Sequence, residues 1–202
     1  MIRLTITEEL HKRAEDTAQD IPSFKMSHRG GPEANIIGCL GEYIIEDWMR
    51  SNDIFFNDER EETTHDYRLL NGETFDVKTK DRTFPMRRTY ACSISDYNAE
   101  HQRPKYYFFV SLQRDDPKKD KKDKKNIENH ENNDIRRFHT AFIVGGVRRS
   151  YFKKHSVGWK VGQIDPSNNW PVGMDCHNLD ANKVQSPQNV IKKLKEISPA
   201  NN

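Results

Sequence analysis

The stretch from His65 to Lys80, HDYRLLNGETFDVKTK, constrains the fold of this chain more than any other. Asn71-Gly72 marks a tight reversal between two runs of strand-forming residues, so the segment reads as a β-hairpin. Side chains along a strand alternate between faces with a rise of about 3.3 Å per residue. Asp76, Lys78 and Lys80 therefore share one face, while Phe75, Val77 and Thr79 supply an apolar face for burial. The expected product is a sheet with a buried body and a charged side that a ligand can reach.

Hairpin register decides where Asp66 points. A two-residue Asn-Gly loop sets Asp66 opposite Val77 and sends its carboxylate to the wrong face. A three-residue loop, Leu70-Asn71-Gly72, with Gly72 left-handed at the end of a type I turn plus bulge, sets Asp66 opposite Asp76 instead. The odd-length connection is the expectation. Opposed carboxylates repel, and the remedies are a raised pKa, a bound cation or a nearby amine. Lys78 offers the amine, and Mg²⁺ would complete the set.

Asp66, with Asp76-Val77-Lys78 on the next strand, resembles the PD-(D/E)XK nuclease superfamily, the restriction-endonuclease-like fold. Members often add a glutamate from the preceding helix, and Glu42 within Gly38-Cys39-Leu40-Gly41-Glu42-Tyr43 is the candidate. The helix, strand, strand order matches over residues 33 to 113, with His65 standing where a proline is common. The resemblance implies a Mg²⁺-dependent nuclease, with Mn²⁺ as a substitute and DNA favoured over RNA as substrate. Asp66 and Asp76 would hold the ion, Glu42 would complete the shell or bind through water, and the Val77 carbonyl would add a ligand. Lys78 would position the attacking water or stabilise the transition state. A homodimer is a further option, since many relatives pair to cut two strands.

Around this centre, Ile36 to Arg50 is expected to be a helix buried on most sides, with Ile36, Leu40, Ile44 and Trp48 in one stripe. Glu42 and Glu46 form its remaining polar strip, Glu46 being read as solvated, and Gly38 and Gly41 allow close approach to a neighbouring backbone. Lys80, Arg82, Arg87 and Arg88 follow the hairpin as a basic trail able to seat a phosphate backbone.

Elsewhere, Thr7 to Gln19 reads as a capped polar helix and Lys105 to Leu112 as a central strand buried on both faces. Residues 115–134, with KKDKKDKK and an Asn- and Glu-rich tract, read as a mobile charged insert. Phe138 to Val147 is expected to be a strand, Arg149 to His155 a short helix, and Val157 to Ile164 a last strand or hairpin. Residues 165–202 are read as a C-terminal extension, irregular to Val184 and closed by a helix from Pro187 through Glu196.

The fold class expected is a single α/β domain over residues 1–202, a mixed sheet flanked by helices on both faces. A net charge of +2 leaves any nucleic-acid affinity to local patches. No apolar run approaches the ~20 residues of a membrane span and no secretory pattern opens the chain, so the expectation is a cytoplasmic protein with no membrane partner. Cys39, Cys92 and Cys176 lack CxxC spacing and read as reduced structural thiols. Three rival readings use the same residues: an inactive nucleic-acid-binding relative, a metal-dependent hydrolase of small phosphates, and a protein-interaction module.

Overall fold

Thr7 takes a hydrogen bond from the Leu10 N–H on its hydroxyl at 3.3 Å and so starts helix α1 (Glu8–Asp20) after strand β1 (Ile2–Thr5). The computed structural model describes residues 1–21, 31–61, 64–115, 135–167 and 170–197. The insert expected at 115–134 therefore falls outside the described residues except for Asp115. Helix α2 (Gly31–Arg50) is followed by β2 (Phe56–Asp58), β3 (Tyr67–Leu69), β4 (Thr74–Arg82), β5 (Ala91–Ser95), α3 (Asp96–His101) and β6 (Tyr106–Arg114). Strand β7 (Phe138–Arg148), α4 (Arg149–His155), β8 (Val157–Trp159), β9 (Ile164–Asp165), β10 (Trp170–Pro171), β11 (Cys176–Asp180) and α5 (Pro187–Ile197) complete the order.

The main sheet has six strands in the order β1-β7-β6-β4-β3-β2, with β4 and β6 parallel and the remaining pairs antiparallel. It is a mixed α/β architecture, as the alternation of helices and strands required. Strand β6 is buried from Tyr107 through Leu112, the pattern of a central strand covered on both faces. Phe108, Val110 and Leu112 face one core with residues of α1, α2 and α5, while Tyr107 and Phe109 face a second core with Phe152 of α4 and Cys92, Ile94 and Leu179.

That second core is closed by a separate three-stranded sheet, β5-β11-β8. Its middle strand comes from the segment expected to be an irregular extension, so residues 165–197 are integral to the domain rather than appended to it. The stretch Val157 to Ile164 likewise divides, with β8 in this sheet and β9 pairing only with β10. The physical reason is pairing partner: β11 finds β5 roughly 80 residues earlier in the chain, a pairing with no local periodic signal.

Helix α2 sits against the apolar face of β4, and a glycine makes this possible. A Cβ added to Gly41 would lie 1.8 Å from Thr79 Oγ1 and 2.9 Å from Thr79 Cβ, whereas Gly38 is not tightly approached. Gly41→Ala is therefore expected to cost about 1–3 kcal/mol through overpacking, read as a lowered urea midpoint, whereas Gly38→Ala should be neutral or mildly stabilising by helix propensity. Equal effects at the two positions would contradict this packing.

Candidate active site

The turn that positions the site has the odd length that the polarity pattern demanded. Leu69 N–H donates to the Glu73 carbonyl at 2.8 Å, Gly72 N–H donates back to the Leu69 carbonyl at 2.8 Å, and Gly72 has φ +84°. Residues 70 to 72 thus form a three-residue loop closed by a left-handed glycine. Tyr67 pairs with Phe75 and Arg68 with Thr74, and just before β3 the Asp66 N–H donates to the Phe75 carbonyl at 3.2 Å, which brings Asp66 beside Asp76. Tyr67 and Phe75 stack in the core with centroids 4.8 Å apart, which leaves both aspartates on the other face.

There the expected groups meet. Lys78 Nζ lies 2.7 Å from Asp76 Oδ2 and donates to Gln102 Oε1 at 2.7 Å. Asp66 Oδ2 accepts a 2.8 Å hydrogen bond from the Val77 backbone N–H, so the main chain at Val77 runs beside the acid pair. Burial, followed by the neighbouring Asp76 carboxyl, holds the Asp66 pKa well above the ordinary carboxylate range. Burial pushes the Lys78 ammonium down, yet Asp76 and Asp66 outweigh it and leave its pKa raised. One amine thus faces two crowded carboxyls.

Accessibility differs from the open charged face expected of the hairpin. Asp76 is 0% exposed and Lys78 keeps 12% of its side-chain surface, while Asp66 is half-buried. Tyr107, the β6 partner of Asp76, and Gln102 stand beside the pair, and the second sheet covers the same face of β4 further along at Lys80 and Arg82.

Glu42 is held elsewhere. Its Oε2 takes a 3.1 Å hydrogen bond from Arg60 Nη1, and the same guanidinium ion-pairs with Asp58 and, at 3.5 Å, with Glu46. Burial raises the Glu42 pKa, with Arg60 opposing and the Asp76 charge adding to the rise, so its charge reaches the pair although its carboxylate is clamped. Among the described residues no three His, Cys, Asp or Glu side chains converge as a metal cage, so the structure does not assemble Glu42 with Asp66 and Asp76 into a three-acid set. Glu46, read as solvated, is instead 4% exposed: Tyr67 donates to it at 2.9 Å, and Arg13, Arg50 and Arg60 surround it.

The basic trail also divides. Lys80 donates to Ser93 Oγ at 3.0 Å and Arg82 to the Ala91 carbonyl at 2.7 Å, so both tie β4 to β5 between the sheets. Burial lowers the Lys80 pKa to about 8. Arg87 and Arg88 are exposed, but they follow the far end of β4, and the strand from Asp76 to Arg82 alone spans roughly 20 Å. The three thiols are free and buried, with Cys39 and Cys92 pushed up to about 12 by burial, so they are inert as nucleophiles.

Asp66 and Asp76 are the residues that would hold a divalent oxygen-seeking ion. Asp76 is completely buried with the Lys78 ammonium 2.7 Å from its Oδ2 and the Asp66 carboxyl beside it, so two carboxyl groups share a single cation. Mg²⁺ needs no protein cage, since one or two carboxylates with water and substrate phosphate suffice.

The raised Asp66 pKa has a stability consequence. In chelated protein the folded state keeps this proton to higher pH than the unfolded chain does, so stability falls as pH rises from the unfolded value of about 3.9 through the raised folded value. Asp66→Asn keeps an oxygen for the Val77 N–H and removes the slope. The variant should match the parent in acid and exceed it in urea midpoint near neutrality, whereas parallel pH profiles would contradict the crowded-pair geometry.

No protein-family model matches this chain, and no curated protein matches its sequence. Among the described residues, no helix is long and apolar enough to cross a membrane.

Proposed function

We propose that this protein is a metal-dependent nuclease that hydrolyses phosphodiester bonds in DNA, with Asp66 and Asp76 holding Mg²⁺ or Mn²⁺ and Lys78 acting beside them. The observation that carries this reading is the Lys78 ammonium 2.7 Å from a buried aspartate, Asp76, against which a second aspartate, Asp66, is crowded. When bound, the ion would lower the pKa of its water and offset charge on the phosphate.

The chain's own groups do the rest. To hold the ion, Asp66 would have to release its retained proton, so ion affinity should rise with pH. The Val77 N–H fixes the Asp66 carboxylate, and the Gln102 side-chain Oε1 fixes the Lys78 ammonium against the hairpin. Held there, the lysine has a charge to set against the negative charge that develops on the phosphoryl oxygens. Glu42, clamped by Arg60, shapes the field at the pair from outside the ligand set.

Labelled linear duplex, single-stranded and supercoiled DNA, together with RNA, incubated with Mg²⁺, Mn²⁺ or chelator, test the reading. Cleavage that appears with divalent ion and vanishes in chelator is the expected result. Undiminished cleavage in chelator, or none of any substrate with either ion, contradicts it.

A further inference from the structure

A cleft of about 450 Å³ opens at the end of the main sheet where β4 and β6 begin, lined by Thr74, Arg103, Lys105, Arg148 and Arg149 with Glu73 at its rim. It holds four cationic side chains against one carboxylate. Glu73 is partly spoken for, accepting from the Tyr106 hydroxyl at 2.8 Å and lying 3.8 Å from Lys105 Nζ. Arg103, Lys105 and Arg148 are exposed, and the Arg149 Nε is buried without an acceptor among the described residues. Arg103 donates to the Gln102 carbonyl at 3.2 Å, and Arg148 and Arg149 engage the Tyr106 and Tyr107 hydroxyls, yet four cationic side chains against one carboxylate suit a multiply charged oxyanion.

Three connections tie the cleft to the acid pair. Thr74 stands two residues before Asp76 on the same face of β4, roughly 7 Å along the strand. Gln102, which accepts from Lys78, is followed directly by Arg103, Pro104 and Lys105 of the cleft wall. Tyr107, the register partner of Asp76, feels both the Asp76 charge and the Arg149 guanidinium. The cleft is thus next to the pair, whereas Arg87 and Arg88 lie beyond the opposite end of β4.

We propose that this cleft is the phosphate anchor of the site, taking a phosphate of the nucleic-acid strand adjacent to the one presented to Asp66 and Asp76. The proposal rests on the nuclease reading for its ligand, but it is tested without turnover. Fluorescent single-stranded DNA, carrying either a terminal phosphate or a terminal hydroxyl, is titrated by anisotropy in chelator against the parent, Arg103→Gln/Lys105→Gln, and Arg87→Gln/Arg88→Gln. The first variant should bind about tenfold more weakly, with a salt slope reduced by roughly 0.7 for each phosphate no longer neutralised, and the second should bind much as the parent does.

A weakening confined to DNA with a terminal phosphate assigns the cleft to a phosphomonoester end. An equal weakening on both probes assigns it to an internal phosphodiester. Parent-like binding by the cleft variant, equal weakening in the two variants, or no binding by the parent overturns the anchor. Weakened binding in the cleft variant with no cleavage under any metal condition would keep the anchor while removing the nuclease reading.

Discussion

Asp76→Ala is expected to cost about 3–5 kcal/mol of folding stability and to abolish metal-stimulated cleavage. The stability loss follows from what remains behind. Lys78, with 12% of its side-chain surface exposed, would keep the Gln102 acceptor and the more distant Asp66 carboxyl but lose the carboxylate 2.7 Å away, leaving a nearly buried ammonium without its nearest countercharge. Urea denaturation in chelator reads the effect directly. Asp76→Ala/Lys78→Met should recover much of the loss, because replacing both charged partners avoids the stranded charge. If Asp76→Ala shifted stability by no more than the ~0.5 kcal/mol of an ordinary surface substitution, the buried ion pair would be wrong.

The second large effect separates catalysis from ion binding. Lys78→Met should lower the cleavage rate at saturating metal by about a hundredfold or more, the typical result of removing one preorganised donor to a developing charge. Divalent-ion affinity should be retained or increased, since the ammonium is the cation that competes for Asp76 in the ion-free protein. Single-turnover cleavage together with a metal titration distinguishes the two roles. An unchanged rate would remove Lys78 from the machinery, and loss of ion binding would show that its part is structural.

The hairpin geometry was legible because several local signals agreed. Phe75, Val77 and Thr79 alternate against Asp76, Lys78 and Lys80, and only an odd loop through Gly72 lets Tyr67 and Phe75 share the core while Asp66 meets Asp76. Helix α2, strand β6 and helix α4 were equally readable, each from its own apolar spacing or contiguous apolar run.

What stayed hidden depends on distant partners. Strands β5, β8 and β11 read ACSIS, VGW and CHNLD, short and half-polar, and become a sheet only by pairing with one another across the chain. Without that sheet, Lys80 and Arg82 look like open phosphate ligands; with it, they are donors to Ser93 and Ala91. Glu46 carries the same lesson. A carboxylate on a helix strip looks solvated until Arg13 from α1 and Arg60 from beyond β2 arrive to surround it. The cationic cleft was missed for the same reason, because Arg103, Lys105, Arg148 and Arg149 lie in two separate stretches that only the β6–β7 pairing brings together. Basic residues just before one strand and at the end of its antiparallel partner are the one signal that was there to find.

The central claim is that Asp66 and Asp76 share one divalent ion. Mn²⁺ titration followed by electron paramagnetic resonance, on the parent, Asp66→Asn and Asp76→Asn, tests it most directly. The account predicts one saturable site in the parent, with affinity rising with pH, and its loss or severe weakening in each variant. Retention of the site in both variants, or no saturable binding in the parent, would contradict it.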